Sequence, residues 1–323
     1  MGFSAAVSAL AGNHPDLTAS GQYTAILGER PSQGARSPLL WNAVFAAENL
    51  DVRMYPLDVT ADGLPAMVAA LKADPRFLGG AVTMPHKVLI LPLLDRVDPL
   101  ALKIGAVNAL YRDGDALVGT NTDGAGALAS LLAALPGGVL GKRQVTLLGC
   151  GGAGAAVAAF VADALTDGGM LTLWNRDIAK AEALAARLGG PVRICAASPA
   201  AAVVGADVVI NCTSIGFGPQ PVIGSLNAVR AATPLAAVGE DLSGMARNLA
   251  ESLAALSSLS PDALVFDVVY QPLETQLLML AAGVGRRTLN GKAMNLEQAV
   301  LGFHGAVPSV AVDRIRSVMA LVP

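Results

Sequence analysis

Two residues, a lysine and an aspartate, have the types and positions that acid–base chemistry requires. Lys87 ends the segment 83–87 (TMPHK), which follows a predicted strand at residues 77–83 and opens a helix. Asp123 follows a predicted hairpin at residues 106–119. Both are therefore expected at element ends, where open α/β sheets bind ligands. A lysine beside a carboxylate in an apolar cleft can take and return one proton, its pKa being set by desolvation against attraction.

Each of the two residues also has an ordinary structural role. A lysine among 22 basic residues is commonly a solvated surface group. Asp123 could cap the helix predicted from about residue 124 to residue 134. Composition alone favours those roles. Chemistry is favoured because both side chains lie at element ends that face a possible cleft.

A glycine-rich turn at residues 149–154 (GCGGAG) matches the pattern G-x-G-x-x-G. The match alone is weak because the chain contains 35 glycines, but a strand predicted at residues 145–148 leads in and an alanine-rich helix leads out. Glycine lets the backbone turn tightly and approach a pyrophosphate, which N–H groups at the helix N-terminus stabilise. A tight turn without a ligand is the alternative. We predict a dinucleotide site formed by Gly149, Gly151, Gly152, Ala153 and Gly154.

The residues after the second strand of this series indicate which dinucleotide binds. That strand ends at Trp174 and is followed by Asn175, Arg176 and Asp177, with Lys180 further on. Arg176 and Lys180 can hold a ribose 2′-phosphate together because positions i and i+4 share one helix face. Asp177 could cap the next helix or, alternatively, bind a ribose hydroxyl and repel that phosphate. The two cations favour NADP, and NAD stays possible.

The composition of the chain excludes several classes of protein. A length of 323 residues predicts two domains. The 22 basic and 25 acidic residues give a formal charge of −3, too mild for binding to nucleic acid or an anionic membrane. Three cysteines and three histidines lack metal-ligand spacing, which predicts a reducing cytoplasm and no metal site. Mean hydropathy is +0.54, but the longest apolar run, residues 145–165, contains the glycine cluster and is not typical of a membrane helix.

Strands and helices alternate along two predicted series, which indicates parallel sheets connected by crossover helices. Residues 136–138 (PGG) separate the series. The first twenty residues show no clear pattern and are expected to be a loose extension without a secretory signal, since no basic residue precedes Arg30. The first series comprises strands at 23–27, 52–55 and 77–83, helices at 39–49, 64–72, 88–94 and 124–134, and the hairpin turning at residues 113–114. The second comprises strands at 145–148, 171–174, 208–211 and 264–269 and helices at 155–165 and 178–188.

Several segments, taken in order, resemble those of the shikimate dehydrogenase family, which includes quinate dehydrogenases. The resemblance covers about residues 23–305, and its order makes it far more specific than any single motif. The matching segments are 36–38 (RSP) with Asn42, 80–87 (GAVTMPHK), 105–108 (GAVN), 119–123 (GTNTD), the glycine turn, 211–216 (NCTSIG), 267–275 (DVVYQPLET) and 291–298 (GKAMNLEQ).

The resemblance implies a two-domain α/β fold and a reaction. After an N-terminal extension (residues 1–20), an α/β substrate-binding domain (21–123 and 291–323) would pair with a Rossmann-type domain (124–290) whose parallel sheet is doubly wound. The C-terminal helices would return to the first domain. The implied enzyme is a cytoplasmic monomer or homodimer that reversibly transfers hydride between NADP(H) and a ring hydroxyl or ketone of shikimate (3-dehydroshikimate) or a close cyclic hydroxy acid.

The resemblance also implies roles for matched residues. Lys87 and Asp123 would be the acid–base pair at the reacting hydroxyl. The implied substrate contacts are Thr83, Asn108 and Gln298 toward its hydroxyls, and Ser37 and Tyr270 toward its carboxylate end. The implied cofactor contacts beyond the glycine turn are Asn175, Arg176, Lys180, Thr213, Ser214 and Gly291, with Asp177 standing where the family usually has threonine.

The carboxylate loop departs from the family's pattern. Where the family has Ser-x-Ser-Pro followed by His-Asn, this chain has Ala35-Arg36-Ser37-Pro38 followed by Trp41-Asn42. The lost hydroxyl removes a donor to a carboxylate, worth roughly 1.5–3 kcal/mol. Arg36 or Ser32 could replace it, while Trp41 is expected to add bulk where the family has a polar ring.

Three alternatives therefore stay open. The first is a paralogue with a shifted substrate, and the second is an NAD-dependent quinate- or aminoshikimate-type dehydrogenase. The third is a non-catalytic nucleotide-binding sensor. The retained Lys87 and Asp123 argue against the sensor, because a binding module needs no acid–base pair.

Overall fold

The computed structural model describes residues 3–218, 231–239 and 241–322. The chain divides into two compact units, one formed by Met1–Thr122 with Leu296–Pro323 and the other by Asp123–Asn295. Each unit is built around its own six-stranded sheet. In the described ranges, no helix is long and apolar enough to cross a membrane.

The sheet of the first unit is mixed. Its strands are β1 (Gln22–Gly28), β2 (Val52–Asp58), β3 (Phe77–Val82), β4 (Arg96–Val97), β5 (Ala109–Asp113) and β6 (Ala116–Thr120), in the order β2-β1-β3-β5-β6-β4. β1 pairs in parallel with β2 and β3, whereas β5 and β6 form the predicted antiparallel hairpin. Leu27 of β1 lies opposite Val82 of β3, so the segments that follow these two strands leave the sheet at the same end.

Helices cover both faces of this sheet. Those before the hairpin are α1 (Phe3–Leu10), α2 (Ser37–Ala47), α3 (Leu64–Ala73), α4 (His86–Leu89) and α5 (Pro99–Ile104). Leu27 packs in one apolar cluster with residues of α1 and α3, while its neighbour Ile26 packs in another with residues of α2. Since successive strand residues point to opposite faces, the two clusters are the two layers of the core.

Two local predictions in this unit are wrong. The first twenty residues are not a loose extension, because Val7 of α1 and Leu17 are buried in the cluster that contains Met67 of α3. An eight-residue helix is stabilised by such packing rather than by its own sequence pattern. The helix predicted at residues 88–94 is instead α4 followed by a separate 3₁₀ turn at Leu91–Leu93, because Pro92 has no N–H to continue an α-helix.

The sheet of the second unit is entirely parallel. Its strands are β7 (Gln144–Leu148), β8 (Met170–Trp174), β9 (Val192–Ile194), β10 (Val208–Asn211), β11 (Leu264–Asp267) and β12 (Arg287–Asn290). The order β12-β11-β10-β7-β8-β9 reverses direction between β7 and β10, as in the doubly wound dinucleotide-binding fold. The predicted fold class, an α/β protein with a Rossmann-type domain, is confirmed.

Among the described residues of the second unit, one helix precedes β7, and the other helices lie between its parallel strands. In chain order the helices are α6 (Asp123–Ala134), α7 (Gly152–Ala164), α8 (Ile178–Leu188), α9 (Pro199–Ala202), α10 (Leu242–Ser257) and α11 (Gln276–Gly283). One apolar cluster joins Leu148 and Val265 of the sheet to Leu256 of α10 and Leu277 of α11. The carboxyl ends of β7, β10 and β11 are thereby held in register, which positions the loops that follow them.

The C-terminal segment completes the first unit. It contains α12 (Lys292–Ala306) and α13 (Val312–Met319). Phe303 of α12 packs on Trp41 and Phe45 of α2, with ring centroids 5.1 and 4.9 Å away. This packing brings Gln298, one turn earlier on α12, to the first unit's sheet.

Candidate active site

Thr83 and Lys87 follow β3 directly, at the carboxyl end of that strand. Lys87 is half-buried on α4, and its carbonyl oxygen accepts the Val107 N–H at 2.7 Å. The neighbouring His86 is fully buried, with its Nε2 2.7 Å from the Val59 carbonyl oxygen. The short helix that carries Lys87 is therefore tied to the surrounding fold on both sides.

A buried polar cluster lies beside the end of β3. Asn108 is 3% exposed, and its carbonyl oxygen accepts the Val82 N–H at 2.8 Å. Its Oδ1 accepts the Thr122 N–H at 2.7 Å, while its Nδ2 donates to the Thr122 hydroxyl at 3.0 Å and to Gln298 Oε1 at 3.3 Å. The Thr122 hydroxyl donates to the Gln298 carbonyl oxygen at 2.9 Å. The structure thus brings together Asn108 and Gln298, two of the predicted substrate contacts.

Thr122 is the member of this cluster that sequence reasoning missed. It contacts Asn108 and Gln298 through three hydrogen bonds, two to the Asn108 side chain and one to the Gln298 backbone. Its position in the segment 119–123 was the available signal, but that segment was interpreted only through Asp123. Gly28 and Thr83 also meet at this end of the sheet, since a Cβ on Gly28 would collide with Thr83 Cγ2.

The loop before α2 differs from the expectation at two positions. Ser32 does not offer a free donor to a substrate, because its N–H and hydroxyl donate to the Asp58 carboxylate at 2.9 and 2.5 Å. Ala35 packs its methyl group against the core. Of the two residues considered as replacements for the lost hydroxyl, Ser32 is therefore bonded elsewhere, and Arg36 lies half-buried at the N-terminus of α2.

The expectation for Trp41 is wrong. Its side chain is 1% exposed and stacks edge-on with Phe45 and Phe303, so its bulk fills the core of the first unit and not the carboxylate loop. The next residue, Asn42, pairs with the edge of β2, accepting the Met54 N–H at 2.7 Å and donating to its carbonyl oxygen at 3.2 Å. Core packing accounts for Trp41, and hydrogen bonds to the β2 backbone account for Asn42.

Asp123 begins α6 in the second unit and is 5% exposed. The next residue is a glycine for a steric reason: a Cβ on Gly124 would collide with Phe160 and with the Ala156 carbonyl oxygen of α7. The close approach of α6 and α7 therefore fixes the position of the α6 N-terminus and, with it, the backbone position of Asp123.

The glycine turn between β7 and α7 fits a pyrophosphate. A Cβ on Gly154 would collide with the Gly149 carbonyl oxygen, and one on Gly149, whose φ is +98°, would lie 2.8 Å from Thr213 Cγ2. Gly151, in contrast, has nothing within 4 Å of the place a Cβ would take, and no side chain caps α7. The turn is tight on its inner side and open in front of the N–H groups of α7, as an anion requires.

The loop after β8 is tied to this turn by Asn175. Its Oδ1 accepts the Cys150 N–H at 2.9 Å, and its Nδ2 donates to the Asp177 carbonyl oxygen at 2.8 Å. Asp177 stands at the N-cap position of α8 but makes no side-chain cap hydrogen bond. Its carboxylate instead lies 3.9 Å from Lys180 Nζ, while Arg176 is exposed. Both predicted phosphate ligands therefore face solvent on the segment that Asn175 orients.

The segments after β10 and β11 carry the other predicted cofactor and substrate contacts of the second unit. Thr213 donates its N–H and hydroxyl to Asn211 Oδ1 at 2.9 and 2.7 Å, and Ser214 is exposed. Tyr270 is half-buried. Gly291 needs no ligand to explain it, because a Cβ there would collide with the Val268 carbonyl oxygen.

Asp267, at the end of β11, joins these two segments. It is fully buried, and its carboxylate accepts hydrogen bonds from Asn211 Nδ2 (2.9 Å), the Val269 N–H (3.0 Å) and the Thr275 hydroxyl (2.6 Å). Burial raises the pKa of Asp267 to about 6, and the hydrogen bonds oppose that rise. No role was assigned to this residue from sequence, although it opens the segment 267–275.

We expect the Asp267→Asn variant to change the pH dependence of stability. Because the folded-state pKa of about 6 exceeds the unfolded value of 3.8, the stabilisation from this group is present below pH 3.8 and lost as pH rises through 6. The wild type should therefore lose about 2–3 kcal/mol relative to the variant between pH 4 and pH 7. Urea unfolding followed by Trp174 fluorescence, in a Trp41→Phe background, measures this. A difference that does not vary with pH contradicts the expectation.

Comparison with known proteins assigns the chain. The family model described as the shikimate dehydrogenase substrate binding domain matches residues 27–110. The NADP(+)-dependent shikimate dehydrogenase of Moorella thermoacetica is 38% identical over 294 residues, which are 89% of this chain and 88% of that protein. The chain belongs to the shikimate dehydrogenase family.

Solved structures of shikimate dehydrogenase family members share the fold of this chain. The Thermus thermophilus shikimate 5-dehydrogenase in complex with NADP(H) and shikimate is 26% identical, with a TM-score of 0.72 over 94% of this chain and 100% of that one. The quinate dehydrogenase of Corynebacterium glutamicum in complex with NAD is 28% identical, with a TM-score of 0.73 over 93% and 99%. The predicted family is confirmed, and as a shikimate dehydrogenase family member the protein is an oxidoreductase.

Proposed function

We propose that the protein reversibly transfers a hydride between NADP(H) and a ring hydroxyl or ketone of shikimate or a close cyclic hydroxy acid. The observation that carries this proposal is the likeness, over 89% of the chain, to an NADP(+)-dependent shikimate dehydrogenase. The Asn108–Thr122–Gln298 cluster of the first unit and the open glycine turn of the second support it. In this proposal the first unit binds the substrate and the second binds the cofactor.

The proposed substrate contacts belong to the first unit and to Tyr270. Thr122 bonds to the Asn108 side chain and to the Gln298 backbone, so both residues are restrained and can orient ring hydroxyls with a smaller loss of side-chain entropy. Thr83 is proposed to bind a hydroxyl, while Ser37 and Tyr270 would bind the carboxylate end. When bound, NADPH supplies the hydride.

Lys87 and Asp123 are the proposed acid–base pair. During oxidation of the substrate a hydroxyl proton must leave as the hydride departs, and during reduction it must return. A half-buried lysine and a buried carboxylate can pass that proton, each at a position fixed by its own helix, α4 or α6.

The cofactor is proposed to lie on the second unit at the carboxyl ends of its strands. Its pyrophosphate would bind the N–H groups of the turn at Gly151, Gly152, Ala153 and Gly154, with Gly149 opening the turn. Asn175, Arg176 and Lys180 would hold the adenosine phosphate, and Thr213, Ser214 and Gly291 would lie toward the nicotinamide. Because Lys180 is already 3.9 Å from the Asp177 carboxylate, the 2′-phosphate must outcompete that exposed ion pair, which is weak in water.

The test is a substrate screen on the purified protein, read at the NADPH absorbance band. Shikimate, quinate and a neutral cyclic polyol are each assayed with NADP and with NAD. Turnover of shikimate with NADP supports the proposal. Turnover of quinate with NAD favours the second candidate function, an NAD-dependent quinate dehydrogenase, which the likeness to the Corynebacterium glutamicum enzyme supports. Cofactor binding without turnover of any compound indicates a nucleotide-binding sensor.

The Ala35→Ser variant should bind shikimate more tightly. Restoring the hydroxyl adds one donor to a carboxylate, so KM is expected to fall about 10-fold or more with kcat unchanged. Steady-state kinetics on the variant, with Arg36→Ala as the companion variant, measure this. Tight shikimate binding by the wild type that survives Arg36→Ala would show that the loop does not select the substrate.

The place and assembly of the protein are also proposed. The three free cysteines, Cys150, Cys195 and Cys212, suit a reducing compartment, and we place the enzyme in the cytoplasm as a monomer or homodimer. Cell fractionation and light scattering of the purified protein test the two statements.

A further inference from the structure

Two loops of the second unit are joined by a single buried carboxylate. The first loop, taken as residues 211–218, starts from the last residue of β10, Asn211, and contains Thr213 and Ser214. The second, residues 268–275, follows β11 and contains Tyr270. Asp267 bonds to Asn211 at the start of the first loop and to Val269 and Thr275 at the two ends of the second.

The residues bonded to Asp267 make further hydrogen bonds within the two loops. Asn211 donates from Nδ2 to Asp267 while its Oδ1 accepts both the N–H and the hydroxyl of Thr213, which in turn accepts the Ile215 N–H at 3.1 Å. The loops also touch directly, because the Gly218 N–H donates to the Gln271 carbonyl oxygen at 3.2 Å. The conformation of residues 213–215 therefore depends on the carboxylate through Asn211.

The carboxylate also fixes where α11 begins. Thr275 caps that helix by accepting the Leu278 N–H, and the same hydroxyl donates its proton to Asp267. Gly216 of the first loop packs over this contact, since a Cβ there would lie 3.4 Å from Thr275 and 3.9 Å from the Asp267 carboxylate. Three donors, from Asn211, Val269 and Thr275, thus converge on one side chain that has no exposed surface.

We propose that Asp267 is a positioning residue for hydride transfer, which holds the loops 211–218 and 268–275 in the arrangement that seats the nicotinamide half of the cofactor and Tyr270. It acts through Asn211 and Thr275 and touches neither substrate nor cofactor. The inference rests on the proposed function, because that function assigns Thr213, Ser214 and Tyr270 their ligands. A buried, fully hydrogen-bonded carboxylate is suited to this task, since it lets neither loop shift without leaving a donor unpaired.

The buried position of Asp267 is energetically unfavourable for its carboxylate, because the charged group is removed from water. Removing a carboxylate from water raises its pKa to about 6, so at neutral pH the ionised form is retained against desolvation. A residue needed only for packing could be apolar at this position. The hydrogen-bond network explains why the residue is a carboxylate and not apolar, because the Asn211, Val269 and Thr275 donors each require an acceptor.

The test compares Asp267→Asn, Asp267→Ala and Thr275→Val with two controls, Thr275→Ser, which keeps the hydroxyl, and Asp262→Asn, which neutralises an exposed carboxylate just before β11. The first readout is amide hydrogen exchange without cofactor. Loss of one hydrogen bond should speed exchange roughly 10-fold in residues 212–218 and 268–275, while the turn at residues 149–154 is unchanged. Both controls should match the wild type.

The second readout separates binding from turnover. Affinity for adenosine 2′,5′-bisphosphate, which lacks the nicotinamide half, should be unchanged in all variants, whereas kcat should fall about 100-fold in Asp267→Ala and less in Asp267→Asn. Should Asp267→Ala fail to fold, Asp267→Asn and Thr275→Val carry the test. Normal exchange in both loops, or an equal loss of adenosine 2′,5′-bisphosphate binding, overturns the proposal.

The two readouts also separate this inference from the proposed function. If the wild type turns over no cyclic hydroxy acid, the proposed function fails, while the exchange experiment still decides whether Asp267 orders the two loops. If the wild type is active and Asp267→Asn exchanges and turns over like the wild type, only the positioning role is wrong.

Discussion

The Lys87→Ala variant is expected to lose turnover by about 10²–10⁴-fold while it binds NADPH as tightly as the wild type. Lys87 lies on α4 in the first unit, whereas the proposed cofactor contacts are in the second, so the cofactor site is left intact. Removing the ammonium group takes away the proton carrier and leaves the polar cluster of Asn108, Thr122 and Gln298 unchanged. Steady-state kinetics and NADPH fluorescence titration measure the two effects.

A matched control for this variant is Lys72→Ala. Lys72 is in the same unit and forms a surface ion pair with Asp95 at 2.7 Å, which contributes at most about 1 kcal/mol of stability. The Lys72→Ala variant should therefore leave turnover unchanged. Wild-type turnover by Lys87→Ala would show that the lysine is a surface group, as composition alone suggests.

Asp123→Asn separates the two roles considered for the aspartate. Asparagine is about as good as aspartate at the start of a helix, so a purely structural role predicts full activity and stability. A proton carrier cannot be replaced in this way, because an amide does not titrate. Loss of turnover at unchanged stability, comparable to that of Lys87→Ala, therefore identifies Asp123 as the partner of the lysine.

The Arg176→Ala/Lys180→Ala double variant is expected to lose its preference for NADP over NAD. Both side chains are exposed on the segment after β8, where a ribose 2′-phosphate would accept charge-assisted hydrogen bonds from them. NADP affinity should fall about 10- to 100-fold, while NAD affinity stays the same or rises. Titration of both cofactors at two salt concentrations measures the change, since exposed charge pairs weaken with ionic strength.

Arg187→Ala is the control for this prediction. Arg187 is an exposed cation in the last turn of α8, at the other end of the helix that begins beside Arg176. The Arg187→Ala variant removes one exposed positive charge from the same helix and should leave both affinities unchanged. Wild-type binding of NAD as tight as that of NADP would contradict the prediction and would assign Asp177 to the ribose hydroxyls, a role that its missing cap hydrogen bond leaves available.

Local signals in the sequence were sufficient for most elements and for the cofactor turn. The strand at Val208–Asn211 and the helix at Ile178–Leu188 agree with prediction at both ends, and the predicted hairpin forms, although it turns at residues 114–115, one residue later than predicted. Apolar periodicity, helix propensity and turn chemistry act over a few residues, so a single sequence contains them in full. The glycine turn can be predicted from the sequence for the same reason, since the tight backbone turn excludes larger residues at Gly149 and Gly154.

Only the tertiary structure decided the roles of residues whose partners are distant in the chain. Trp41 belongs to the core because α12 returns Phe303 to it, and Ser32 is engaged because β2 brings it Asp58. Asp267 becomes the joint of two loops only when β10 lies beside β11 and places Asn211 against it. Side-chain type states which hydrogen bonds a residue can make, but burial and strand order determine which of them it does make, and those depend on the folding of the whole chain.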